Sequence, residues 1–184
     1  MANRVRAALF IALSLAYPLV VYLALGRFEP RWLALLLMAL ALLRALATRQ
    51  PVWLAAAGGA AILAGLTTVF NDALPLKLYP ALVNAVMLVV FAVSLRFPPP
   101  VVERIARLTE PDLPPRAVAY TRRVTQVWCG FFIFNGALAL VTALWTTDRI
   151  WALYNGGIAY LLMGALFAGE WLVRQRVRAA HRHD

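Results

Sequence analysis

The sequence predicts an all-α fold: a polytopic transmembrane bundle of six helices plus one short amphipathic cytoplasmic helix, in a single domain over residues 1–184. Three observations predict it. The 184 residues are 63% hydrophobic and only 14% charged, with a strongly positive mean hydropathy, whereas a soluble domain of this size needs far more polar surface. The apolar residues gather into six stretches, each near the ~20 residues that a helix rising about 1.5 Å per residue needs to cross a hydrocarbon core. Arginines gather in the short segments between them.

The first stretch, 7–25, follows Arg4 and Arg6. That charge pattern resembles a secretory signal, but no convincing small-residue cleavage site follows, so it reads as an uncleaved first helix. The second, 32–47, is the shortest. It spans only if Arg44 snorkels toward the headgroups with its stem in lipid; otherwise the bundle has five helices. Gly26, Arg27, Phe28, Glu29 and Pro30 join these two, a link short enough to make them antiparallel neighbours. Gln50 and Pro51 turn the chain into the third stretch, 52–70. The connection 71–80 carries Pro75 and Pro80, which rules out one continuous helix and predicts an ordered outer turn before the fourth stretch, 78–95. The fifth, 127–145, and sixth, 150–173, complete the set. Ala57, Ala61 and Gly65 recur every four residues in the third stretch, as do Ala165 and Gly169 in the sixth. Small faces of this kind let helices approach closely, within one protomer or in a homo-oligomer.

The largest piece outside the predicted spans is 96–126. After Pro98, Pro99 and Pro100, residues 101–108 place Val102, Ile105 and Leu108 near one helical face, with Glu103 and Arg107 four residues apart. The pattern predicts a short helix on the inner leaflet, ended by Pro111, Pro114 and Pro115. It suits a tether for anionic membrane lipid or a docking surface for a cytoplasmic protein. Charge gives the orientation. Arg4, Arg6, Arg44, Arg49, Arg96, Arg104, Arg107, Arg116, Arg122, Arg123, Arg174, Arg176, Arg178 and Arg182 fall on one side, leaving only Arg27, Arg31, Lys77 and Arg149 on the other. The positive-inside rule then puts both termini in the cytoplasm. Cationic membrane flanks account for the net charge of +10 without a nucleic-acid partner.

Polar groups inside the spans are the candidate contacts for a ligand or partner, because leaving them unpaired in hydrocarbon is costly. Asn84 and Asn155 fall about one turn below the outer surface, with Asn71, Asp72 and Asp148 at the same level beside Tyr79 and Tyr154. Convergence of these helices would make an outward-facing polar cup. Otherwise the asparagines bridge helices, the aspartates cap turns and the tyrosines form an interfacial belt. Asn135 lies near mid-bilayer, where an interhelical hydrogen bond and a substrate contact compete. Glu170 is the only acid well within a span, and Arg174 four residues later predicts a local ion pair rather than a proton relay.

The motifs of chemistry are missing from the sequence. It contains no Ser/His/Asp set, no paired carboxylates in one leaflet, no phosphate-cradling glycine loop and no metal-ligand cluster. The sole cysteine, Cys129, reads as a packing residue, and His181 with His183 as part of a solvated tail. No catalytic residue, metal or cofactor is expected, and the composition leans away from an enzyme.

Four blocks in order resemble a known family. They are Tyr-Pro-Leu-Val-Val-Tyr from Tyr17, Gly-Leu-Thr-Thr-Val-Phe-Asn-Asp from Gly65, Trp-Cys-Gly-Phe-Phe-Ile-Phe-Asn-Gly from Trp128, and Arg-Ile-Trp-Ala-Leu-Tyr-Asn from Arg149. In order and spacing the chain resembles the intracellular septation protein A (IspZ-like) group of bacterial inner-membrane proteins. It departs from that group in its proline-rich inner loop and its Arg/His tail. It is also similar to membrane proteins that accompany aryl-polyene-type pigment clusters. The first resemblance implies a non-catalytic scaffold or accessory in cell-envelope synthesis or septation, partnered by envelope-synthesis or division membrane proteins. The second implies a lipid or polyene carrier.

Overall fold

Prolines and one asparagine decide where the helices start and stop. The computed structural model describes residues 51–180, together with isolated positions between Tyr22 and Leu43. Most of the first apolar stretch, much of the second, Arg4, Arg6, Arg27, Arg31, Arg44, Arg49 and the tail with His181, Arg182 and His183 lie outside the described residues. Helix α1 (Pro51–Phe70) opens on proline, which is tolerated in a first turn because no N–H is needed there. It ends at Asn71, whose φ of 50° is a left-handed conformation that asparagine adopts more readily than most residues. The Asp72 carboxylate accepts the Leu74 N–H at 2.8 Å and so starts the single turn α2 (Leu74–Lys77). Helix α3 (Tyr79–Arg96) follows at once and stops before the triple proline. After α4 (Val101–Arg107), Pro115 opens α5 (Pro115–Trp145). The chain then enters α6 (Asp148–Leu153), passes through a π-helical turn at Tyr154–Ile158 and continues as α7 (Ala159–Ala180).

All regular structure among the described residues is helical. Among the described residues three runs are long and apolar enough to cross a membrane: Tyr79–Arg96, Pro115–Trp145 and Asp148–Gln175. The helix containing the fifth apolar stretch begins twelve residues earlier than expected, at Pro115 rather than residue 127. Nothing between them breaks a helix, and polar side chains at the end of a long helix need only water. With 31 residues α5 is about 46 Å long, so it overshoots a hydrocarbon core of about 30 Å by several turns.

Helix α5 is the axis of the packing. Its buried residues Thr121, Val124, Thr125, Trp128, Phe132, Asn135, Ala139, Thr142 and Ala143 advance by threes and fours, forming one continuous stripe. The stripe faces chiefly α3. At the arginine-rich end Phe91, Val124, Trp128 and Phe132 form the core, with Phe91 edge-on to Phe132 at 5.1 Å and Trp128 4.6 Å from Phe167 of α7. Toward the opposite end the helices close further. A Cβ on Gly136 would stand 3.0 Å from the Asn84 Cβ, so glycine is what permits this approach.

The small-residue faces differ from those expected. In α1 the buried line is Ala57, Ala60, Ala64 and Thr67, whereas Gly65 is exposed. Steps of four drift around a helix of 3.6 residues per turn, and steps of three and four hold one face. Ala165 and Gly169 are exposed in α7, and a Cβ on Gly169 would meet nothing within 4 Å.

Helix α4 also turns differently from the expectation. Val102 packs on the aromatic core and Glu103 is buried, while Ile105 and Leu108 point outward. Steps of three each fall about 60° short of a full turn, so Val102 and Leu108 end about 120° apart. Ser94 locks the helix in place: its hydroxyl donates to the Phe91 carbonyl at 2.7 Å and accepts the Val101 N–H at 3.1 Å. Arg107 joins the Glu103 carboxylate at 2.8 and 2.9 Å and donates to the Pro111 carbonyl, drawing the chain back toward α5.

Candidate functional site

The buried polar groups of α3, α5 and the π-helical turn meet in one hydrogen-bonded chain. Asn84 donates through Nδ2 to the Pro80 carbonyl at 2.8 Å, within its own helix. Its Oδ1 accepts from Asn135 Nδ2 at 3.1 Å, and Asn135 Oδ1 accepts the Tyr154 hydroxyl at 2.8 Å. Asn84, Asn135 and Tyr154 are all at least nine-tenths buried. Sequence position separated Asn84, near one surface, from Asn135, near the middle. The structure makes them direct partners, because close packing at Gly136 brings the two helices together beside them.

A second set lies about two turns further along α5. Asn155 donates to the Thr142 hydroxyl at 3.1 Å and to the Trp151 carbonyl at 2.9 Å. Thr142 in turn donates to the Ala139 carbonyl at 3.0 Å. The π-helical turn positions both sets. A π-turn inserts an extra residue into the helical repeat, so the adjacent Tyr154 and Asn155 are both buried.

The aspartates belong to the surface above these sets. Asp148 is half exposed and pairs with Lys77 at 2.9 Å, joining α6 to α2. Beside it the fully buried Trp151 donates its indole N–H to the Lys77 carbonyl at 3.0 Å. Asp72 serves as a turn cap, and Asn71 is exposed. The seven sequence-derived candidates therefore divide. Asn84, Asn135 and Asn155 are buried and bonded to protein groups. Asn71, Asp72 and Asp148 shape and tie the turns, and Glu170 stands apart at the arginine-rich end. The Tyr120 hydroxyl lies 3.3 Å from the Glu170 carbonyl and 3.4 Å from its Oε1. Tyr120 reaches it from the facing helix α5, whereas Arg174 lies one turn nearer the chain end.

Sequence reasoning missed Thr142, Trp151, Ser94 and Tyr120. Of these, Thr142 had a readable signal in part: with Thr121 and Thr125 it falls on the same stripe of α5 as Asn135. Thr67 is fully buried with no hydrogen-bond partner for its hydroxyl.

Chemically, the arrangement pins helices. Both heteroatoms of the Asn135 amide are used by protein partners, as are both of Asn84. Among the described residues no group of three His, Cys, Asp or Glu side chains is placed to hold a metal ion. Comparison with known proteins returned no matching family model, curated protein or solved structure.

Proposed function

We propose that this chain is a multi-pass protein of the bacterial inner membrane with both termini cytoplasmic, six spanning helices, and a non-catalytic role as scaffold or accessory in cell-envelope synthesis or septation. One observation carries the non-catalytic part. The buried polar side chains of the α3–α5–π-turn junction spend their hydrogen bonds on one another and on the backbone, which is how interhelical pins behave in lipid. Length and apolarity of three helices support the membrane, and the charge asymmetry supports the orientation. The resemblance to the septation protein A group supplies the process. Partners would meet the lipid-facing sides of the helices, where Phe167, Trp171 and Leu172 of α7 are exposed.

The competing reading is a lipid or polyene carrier. It needs the asparagines to hold cargo, and they are already bonded within the protein. Mass spectrometry of proteins and lipids recovered with the chain from native membranes tests the choice. Enrichment of envelope-synthesis or division proteins is expected. A stoichiometric polyene or other amphiphile, lost when Asn84, Asn135 or Asn155 is replaced, with no protein partner, would overturn the scaffold.

A further inference from the structure

We propose that the outward face of α4 and the end of α3 form a docking surface for anionic phospholipid of the inner leaflet; this rests on the membrane-spanning reading and goes beyond the scaffold role. Among the described residues, none covers the apolar part of the surface. Leu108 is 83% exposed, Phe97 64% and Ile105 59%. Ile105 and Leu108 are three residues apart on one side of α4, away from the buried Glu103. Phe97 continues the line of Val89 and Val93, exposed one turn apart on α3. Phe97 thus extends a helix face that acyl chains would cover.

Charge around the patch selects the headgroup. Residues 96–126 hold six arginines against three acids, Glu103, Glu110 and Asp112. Glu103 is turned inward and paired with Arg107, so this acid and this arginine offset each other away from the patch. The Arg96 guanidinium lies 5.5 Å from the centre of the Phe97 ring, so a cation sits directly on the apolar anchor. Arg104 is held by a bond from Nε to the Pro99 carbonyl at 2.7 Å, a contact that leaves its terminal nitrogens for other acceptors. Arg116 is exposed at the start of α5. Apolar anchors ringed by arginine are what an anionic bilayer surface binds, through acyl contact and phosphate together. Packing by Ser94 and the Glu103–Arg107 pair holds α4 in place, so the surface exists before lipid arrives.

The test uses the full chain in nanodiscs of phosphatidylcholine containing a minor fraction of phosphatidylglycerol, with retained lipid identified by mass spectrometry after extraction into detergent. Phosphatidylglycerol should be enriched over phosphatidylcholine. Arg104→Gln and Arg116→Gln should each lower that enrichment about fivefold, and Ile105→Ser with Leu108→Ser should lower it further, while Arg149→Gln at the opposite end leaves it unchanged. Arg116→Gln alters only an exposed side chain and keeps the test valid if the α4 variants misfold. Failure to enter nanodiscs would defeat the membrane-spanning reading itself. Entry without phosphatidylglycerol preference would defeat only the lipid surface. Displacement of the lipid by inorganic phosphate, or loss of a co-purified protein with no change in lipid on replacing Ile105 and Leu108, would also overturn the proposal.

Discussion

Replacing Asn135 with leucine removes two hydrogen bonds at once, to Asn84 at 3.1 Å and from Tyr154 at 2.8 Å. Exposure there is 5% for Asn135, 9% for Asn84 and 7% for Tyr154, so water has little access to fill the vacated positions. Hydrogen bonds between helices in a membrane contribute ~0.6 kcal/mol on average and up to ~1.7 kcal/mol, so losing both costs about 1–3 kcal/mol. Tyr154→Phe removes only one and should cost about 1 kcal/mol. The two changes share that bond. The double variant should therefore lose less than the sum of the singles, by about 1 kcal/mol, because phenylalanine removes the hydroxyl that leucine strands. Unfolding of the purified protein in mixed micelles, followed by tryptophan fluorescence and helicity, measures all three. Additivity within about 0.3 kcal/mol would refute the shared bond. Unchanged stability in Asn135→Leu with loss of a co-purified ligand would refute the structural role altogether.

Gly136→Ala should destabilise the α3–α5 packing by about 1–3 kcal/mol despite alanine's better helix propensity, because its Cβ would meet the Asn84 Cβ at 3.0 Å. Gly169→Ala, with open space, should be neutral or stabilising in the same thermal assay. Asp148→Asn should cost under about 1 kcal/mol, since the carboxylate is half exposed and screened, and the loss should shrink with added salt. Trp151→Phe, which leaves the part-buried Lys77 carbonyl without its indole donor, should cost about 1–2 kcal/mol with little salt dependence. Glu103→Ala should free α4 from its anchor, costing about 1.5–3 kcal/mol and opening 96–115 to limited proteolysis, whereas Leu108→Ser should do neither.

Helix placement was legible where apolar length decided it. The fourth and sixth stretches match α3 and the run through α6 and α7 to within a few residues or one helical end. The start of α5 was not, because hydropathy registers where a helix leaves lipid and not where it ends. The polar candidates were legible as residues but not as partners. Nothing local to Asn84 or Asn135 states their mutual register, which Gly136 and the α5 stripe determine across 51 residues of sequence. The π-helical turn that aims both Tyr154 and Asn155 inward is invisible to a 3.6-residue reading, although Gly156 and Gly157 mark a weak point in the helix. Glu170 was matched to Arg174 by spacing alone, and its neighbour Tyr120 on α5 was not legible from local sequence. Helix α4 was legible as a helix. Its rotation was not, because Val102 is claimed by an aromatic core assembled from α3 and α5.

Reporter fusions at two positions test the membrane reading most directly, one within 109–114 and one within 71–73. Cytoplasmic activity at the first and periplasmic activity at the second is the expected result, since α3 then crosses the bilayer with its arginine-rich end inside. A periplasmic signal at the first would contradict the orientation, the inner-leaflet lipid surface and the assignment of the Lys77–Asp148 end to the outside. The same signal at both would contradict the crossing itself.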